Sequence, residues 1–248
     1  MPAGPTGRPR FLASVTSALE AQTAIAAGAE IIDAKNPAEG ALGALPHETV
    51  RGIVEAVARA APVSATVGDL VPEPDVLCRA AVAMAGTGVD LVKIGFFAGG
   101  DPIESIRALG RLDLHRTRLV GLLLVDRDPD FNLIGEMARA GFAGVMLDTA
   151  SKRGGTLTDM IAPVRLGEFV ALGHDAGLFV GLAGALRPAH IAPLAALGPD
   201  VLGFRGALCA GQRREGPLEG DAVRALARTL SDCGRHLPTR HAALEAAP

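Results

Sequence analysis

The chain has 248 residues, of which 49% are hydrophobic, and a formal net charge of −3 at pH 7. Its length suits one large core, because α/β barrels run to about 250 residues as a single domain. The dispersed Lys and Arg residues form no basic face for nucleic acid, and the apolar runs are too short to span a membrane. The N-terminus lacks the apolar segment of a signal peptide, and three widely spaced cysteines suit a reducing compartment. We therefore expect a cytoplasmic protein with neither nucleic acid nor a membrane as its partner.

Short apolar runs alternate with helical patterns along the whole chain. Strands are predicted at residues 11–15, 31–35, 63–67, 91–96, 119–125, 144–147, 178–182 and 201–204. Helices are predicted at residues 16–27, 47–60, 75–85, 102–109, 133–140, 162–176, 189–197 and 218–233. Eight such units predict a parallel sheet closed into a (β/α)8 TIM barrel. A doubly wound open sheet is the alternative, but it would usually carry a glycine fingerprint after the first strand, which this sequence lacks.

The predicted barrel forms a single domain over residues 11–235. Residues 1–10 are rich in Pro, Gly and Arg, and we expect a disordered or extended addition there. Residues 236–248 are expected to form a loose tail.

Charged residues recur where the predicted strands end. Asp33 and Lys35 stand two positions apart in the second strand, so their side chains point to the same side. The C-terminal ends of the strands form the active face of such a barrel. The other charged residues at these ends are Asp69, Lys93, Asp126, Asp148 and, four residues further on, Lys152.

Lysines at this face predict amine chemistry. Crowded cations depress one another's pKa and leave one amine neutral enough to attack a carbonyl, while a second amine moves protons. The simpler interpretation is a strand-end ion pair for Lys35 and for Lys93, and a solvated loop lysine for Lys152. The histidines form no H-x-x-x-H pair, so we expect neither a metal nor another cofactor.

The loops after the seventh and eighth strands predict phosphate binding. They carry Gly184 and Ala185 in one loop and Arg205, Gly206 and Ala207 in the other. Barrels often bind phosphate at this place through backbone N–H groups. Arg205 or Arg187 would add positive charge. The alternative is that these glycines only make turns, and Cys209 nearby is interpreted as a small packing residue.

Six motifs of the chain resemble one enzyme family. They are IIDAKNPAEGALGA (31–44), VSATVGD (63–69), VKIG (92–95), MLDTASK (146–152), LAGAL (182–186) and GFRGALC (203–209). The sequence is similar to the (5-formylfuran-3-yl)methyl phosphate synthases, also called 4-hydroxymethyl-2-furancarboxaldehyde-phosphate synthases, of methanofuran biosynthesis. The resemblance runs from Phe11 to about Cys233, and it is weaker over residues 101–118 and 121–126.

The resemblance implies a barrel enzyme that joins two molecules of glyceraldehyde 3-phosphate into a phosphorylated furan aldehyde, with loss of phosphate and water. By position, Lys35 matches the Schiff-base lysine and Lys93 the proton acceptor. Asp33, Asp148 and Lys152 match further active-site positions. The implied partner is this small-molecule substrate, and whether the chain forms a homo-oligomer is left open.

Two other functions stay open from the residues themselves. One is a triose- or pentose-phosphate isomerase or epimerase that uses Lys93 or an aspartate as its base without a covalent adduct. The other is a non-catalytic barrel that binds a phosphorylated metabolite. The pairing of Asp33 with Lys35 favours amine chemistry over an isomerase or epimerase. The many charged residues at strand ends argue against a non-catalytic binding barrel.

Overall fold

The structure, a computed structural model, describes residues 7–97, 99–150 and 155–236. The strands are β1 (Arg10–Val15), β2 (Ile31–Ala34), β3 (Val63–Thr66), β4 (Leu91–Gly95), β5 (Arg118–Leu124), β6 (Gly144–Asp148), β7 (Phe179–Leu182) and β8 (Val201–Phe204). They pair in parallel in sequence order, and β8 pairs with β1 to close the barrel. The predicted TIM barrel is therefore confirmed, and the open sheet is excluded.

Helices follow the strands around the outside of the barrel. They are α1 (Ala18–Ala26), α2 (His47–Val57), α3 (Pro74–Ala85), α4 (Pro102–Gly110), α5 (Leu133–Arg139), α6 (Leu157–Met160), α7 (Pro163–Asp175), α8 (Ile191–Ala195) and α9 (Gly220–His236). The helix predicted over 189–197 is a 3-10 turn, Pro188–His190, followed by the short α8. The sequence interpretation missed α6, since four residues are too few to show a helical period. Its local signal is the capping box between Thr156 and Asp159.

Side-chain alternation divides the strands between two cores. Phe11 and Ala13 of β1 pack in the large core that includes the helices, whereas Leu12 belongs to a second apolar cluster. That cluster also contains strand residues from around the ring and fills the barrel interior. Two residues further along β1, β2 and β4, the same inward face carries Ser14, Asp33 and Lys93. A polar layer thus lies directly above the apolar interior, at the C-terminal ends of the strands.

The described residues include part of the predicted N-terminal addition. Arg10 is the first residue of β1, and Arg8 forms an ion pair with Glu30 at 2.8 Å. Residues 1–6 of the predicted addition and residues 237–248 of the predicted tail lie outside the described residues. Across the part of the chain that the structure describes, none of the helices combines the length and apolar character needed to cross a membrane.

Candidate active site

Asp33 is the centre of the polar layer. The parallel register places Ser14, Asp33 and Ser64 side by side on β1, β2 and β3. Ser14 Oγ donates to Asp33 Oδ2 at 2.9 Å, and Ser64 Oγ donates to Oδ1 at 2.7 Å. Lys93 Nζ, from β4, lies 2.9 Å from the same Oδ1. The carboxylate of Asp33 is completely buried, and these three partners satisfy it.

The surroundings of Asp33 keep it ionised. Burial would by itself raise its pKa, but the positive charges of Lys93 and Lys35 oppose this, as do hydrogen bonds from Lys93 and Ser64. The net result is a pKa below the usual aspartate value. Lys93 therefore faces a permanent negative charge at neutral pH.

Lys35 pairs with a carboxylate from another part of the barrel. Its Nζ lies 3.0 Å from Oδ2 of Asp148, the last residue of β6. Asp148 Oδ1 accepts a hydrogen bond of 2.7 Å from the N–H of Thr149, which fixes the carboxylate. The sequence interpretation paired Lys35 with Asp33, and this pairing is wrong, because the partner of Asp33 is Lys93. The two ion pairs instead join residues that are distant in sequence.

The two lysines differ in depth. Both line one cavity of about 460 Å³ together with Asp33 and Asp148. The side chain of Lys93 is 4% exposed and lies within β4, whereas that of Lys35 is 12% exposed and follows the end of β2. Lys35 is thus the more accessible amine, and Lys93 lies deeper.

Two other aspartates at strand ends hold loops. Asp69 accepts hydrogen bonds from the N–H groups of Ala41 and Leu42, at 3.0 and 2.6 Å, and so fastens the loop that follows Lys35. Asp126 accepts a bond of 2.7 Å from the N–H of Ala150, at the start of the loop after β6. Lys152, which that loop carries, lies outside the described residues.

The loop after β7 presents unused backbone donors to the cavity. Gly184 and Ala185 both have positive φ, +116° and +50°, and a non-glycine residue rarely adopts this conformation. Successive N–H groups in such a turn form a concave anion-binding nest. Gly206 and Ala207, after β8, line the same cavity. Within the described residues, the N–H groups of these four residues donate no hydrogen bond.

Arg205 lines the cavity but points its donors into the protein. Its guanidinium forms an ion pair with Glu20, at 2.6 Å, and also donates to backbone carbonyls. Burial would raise the pKa of Glu20, yet the hydrogen bonds from Arg205 and Thr16 and the charge of Arg205 hold it below the usual value. Glu20 also accepts hydrogen bonds from both the N–H and the hydroxyl of Thr16, just before α1.

Several site residues escaped the sequence interpretation. Ser14 and Ser64 are the hydroxyl donors to Asp33, and Arg214 lines the cavity from the segment after β8. The serines had a signal, since each stands at an inward strand position next to Asp33 in register. Arg214 had none, because its place depends on the path of a non-repetitive segment. Cys209 is buried, and burial raises its thiol pKa, in agreement with a packing residue.

The described residues contain no cluster of three or more His, Cys, Asp or Glu side chains arranged to hold a metal ion. The site therefore consists of two lysine–aspartate pairs, two buried serines and a set of free backbone donors around one cavity.

Comparison with known proteins identifies the family. A family model described as 4-HFC-P synthase matches residues 11–227. The (5-formylfuran-3-yl)methyl phosphate synthase of Methanopyrus kandleri is 38% identical over 90% of this chain and all of its own length. A provisionally named synthase of the same kind from Methylorubrum extorquens is 43% identical over 88% of this chain and 90% of its own.

Among solved structures, phosphoribosyl anthranilate isomerase from Thermus thermophilus has a TM-score of 0.64 at 18% identity, covering 90% of this chain and 98% of that one. This likeness concerns the barrel fold alone. The family match and the two relatives together show that the chain belongs to the (5-formylfuran-3-yl)methyl phosphate synthase family.

Proposed function

We propose that this protein condenses two molecules of glyceraldehyde 3-phosphate into (5-formylfuran-3-yl)methyl phosphate through a Schiff base on Lys35. The observation that carries the proposal is the presence of two lysines, each paired with its own aspartate, in one cavity of about 460 Å³. Family membership supports the product. The stoichiometry balances as two triose phosphates giving one furan phosphate, one orthophosphate and two waters.

Lys35 is the proposed nucleophile because it is the more accessible amine. Its neutral form adds to the carbonyl carbon of one triose phosphate, and loss of water from the carbinolamine gives an iminium ion. Asp148 holds the amine in place and accepts the proton that the ammonium must lose before it can attack.

Lys93 is the proposed proton carrier. The ionised Asp33 holds it as an ammonium, so it first donates a proton to the departing carbinolamine oxygen. The neutral amine that remains then removes the α-proton of the iminium ion, which restores the ammonium and gives an enamine. One lysine thus acts as acid and then as base without a net change in charge.

The later steps join and close the carbon skeleton. The enamine carbon attacks the aldehyde of the second triose phosphate, and phosphate elimination, cyclisation and dehydration give the aromatic ring. We assign Lys152 to neutralising or assisting the leaving phosphate. The free N–H groups at Gly184, Ala185, Gly206 and Ala207 are proposed to hold substrate phosphates.

The composition of the chain allows a direct test. It contains neither Trp nor Tyr, so a furan aldehyde forming from glyceraldehyde 3-phosphate is visible in the near ultraviolet against a nearly transparent protein. Its three lysines are Lys35, Lys93 and Lys152, so a borohydride-trapped adduct has few places to form. We expect a rising furan absorbance and a trapped adduct on Lys35.

Lys35→Arg is the matched control, because it keeps a cation beside Asp148 that cannot form a Schiff base. It should give neither furan nor adduct. Furan production with an adduct elsewhere would retain the reaction and move the nucleophile. The absence of both furan and adduct in the native protein would favour an isomerase or a binding protein.

A further inference from the structure

We infer that Arg214 binds the phosphate group of a substrate at the β8 side of the cavity, and that Arg205 is a positioning residue for it. The inference deepens the proposed function and rests on it, since it concerns how the same site holds a phosphorylated aldehyde.

Arg205 has no donor left for a ligand. An arginine has five N–H groups. The Nε of Arg205 donates to Arg214 O at 2.9 Å. Its Nη1 donates to Ser14 O and Glu20 Oε2, and its Nη2 donates to Glu20 Oε1 and Gly216 O. These five bonds fasten the segment between Arg205 and Gly216 to the barrel, and one of them holds the backbone of Arg214 itself.

Arg214, in contrast, has a donor that is not used within the described part of the protein. Its Nη2 donates to the carbonyl of Gly40 at 3.2 Å. Its Nε is buried and has no hydrogen-bond partner, and no carboxylate among the described residues forms an ion pair with it. A buried N–H of a charged group without a partner costs free energy that an incoming acceptor can recover. A phosphate is the acceptor that a guanidinium matches best, through two parallel N–H···O bonds.

The surroundings of Arg214 suit a phosphomonoester. Arg214 lines the cavity that contains Lys35 and Lys93. It also lies beside Gly206, where an added Cβ would stand 3.9 Å from the backbone nitrogen and 4.0 Å from the Cβ of Arg214. The backbone of Arg214 is therefore a close neighbour of Gly206, and Gly206, Ala207 and Arg214 all line the same cavity. Charged and backbone donors together are the usual means of holding a phosphate.

The contact of Arg214 with Gly40 adds a connection to the nucleophile. Gly40 lies in the loop after Lys35, which Asp69 fastens. A phosphate on Arg214 would thus bind between the segment after β8 and the loop after β2. This places the bound group at the side of the cavity from which Lys35 projects.

The test measures equilibrium binding without turnover. Isothermal titration calorimetry with sn-glycerol 3-phosphate, a phosphomonoester that has no carbonyl and forms no Schiff base, is made on the native protein and three variants. Arg214→Gln should weaken binding by about 10- to 100-fold, as for loss of a charge-assisted contact. Arg214→Lys, which keeps the charge, should fall in between. Arg213→Gln, a change at the exposed neighbouring arginine, should bind like the native protein.

A purely structural role gives a different pattern. Glutamine and lysine can both donate to the carbonyl of Gly40, so a tether alone would leave Arg214→Gln and Arg214→Lys with similar affinities. Native affinity in Arg214→Gln, or a stronger effect of Arg213→Gln, would overturn the inference. Far-ultraviolet circular dichroism checks that each variant is folded, and if Arg214→Gln is not, the comparison of Arg214→Lys with Arg213→Gln decides. Because no turnover is measured, a phosphate site on Arg214 and a failure to form furan are distinguishable results.

Discussion

Lys35 Nζ lies 3.0 Å from Asp148 Oδ2, although β2 and β6 stand on opposite sides of the closed barrel. Because this ion pair crosses the C-terminal end of the barrel, it holds the Lys35 amine over the cavity. A carboxylate on an adjacent strand would instead hold the amine beside the barrel wall. Lys93 and Asp33 form a second such pair, deeper and between β4 and β2. Each lysine of the site thus has its own carboxylate partner.

Lys93→Arg tests the proton carrier. The guanidinium keeps a cation beside Asp33 but does not give up its proton, so kcat should fall by about 10²- to 10⁴-fold. Lys35 stays intact, and a borohydride adduct should still form on it. Steady-state furan absorbance and the mass of the trapped protein check both statements. Normal turnover would remove Lys93 from proton transfer.

Asp33→Asn should destabilise the protein at neutral pH. The change leaves Lys93 as a buried charge without its partner, and breaking a buried pair costs about 3–5 kcal/mol of unfolding free energy. The pKa of Asp33 is lowered in the folded protein, so its contribution is present above the ordinary aspartate pKa of about 3.9 and is lost as the pH falls through the folded value. The difference between native protein and variant should therefore shrink in acid.

Urea unfolding at pH 7 and near pH 2, well below the ordinary aspartate pKa of about 3.9, measures this pH dependence. The double variant Asp33→Asn/Lys93→Met is the control, because it removes the unpaired charge and should recover part of the lost stability. An equal loss at both pH values would contradict the assignment.

Asp69→Asn should loosen the loop after Lys35. The carboxylate accepts two backbone N–H groups, and an amide oxygen can replace only part of that acceptance. We expect a loss of about 1–3 kcal/mol in stability and a lower kcat/KM. Asp101→Asn is the matched control, since Asp101 caps α4 on the surface and asparagine caps a helix equally well. Identical behaviour of the two variants would show that the loop does not depend on Asp69.

Gly184→Ala should weaken the phosphate binding that we propose for the turn after β7. The residue has a φ of +116°, and an added Cβ would stand 2.7 Å from Thr149 Cγ2. Gly177→Ala is the control that separates backbone strain from steric contact. Gly177 also has a positive φ, +76°, but an added Cβ there would have nothing within 4 Å. The control should lose about 1–2 kcal/mol, whereas Gly184→Ala should lose more and also bind sn-glycerol 3-phosphate less tightly. Unfolding and titration calorimetry measure the two effects, and equal affinity in both variants would contradict the nest.

The sequence predicts most of the barrel and the members of the lysine–aspartate set, because apolar runs identify parallel strands and alternation assigns side chains to a face. Asp33, Lys35, Lys93 and Asp148 follow from these two rules. Their pairing does not, since it depends on which strands face each other across the closed ring. The orientations of Arg205 and Arg214 could not be predicted from the sequence either. They depend on the short 3-10 turns between the two residues, which determine where each guanidinium group points.

Asp69 and Asp126 bear on how such a barrel can change its substrate. Each binds the backbone of a neighbouring loop, whereas Asp33 and Lys93 are held within strands. The proposed reactive amines lie just after β2 and within β4, whereas the segments proposed to hold phosphate follow β7 and β8. If the proposed function holds, loop exchange at β7 and β8 is a route to variants that accept other aldehyde phosphates while Lys35 and Lys93 keep their proposed roles.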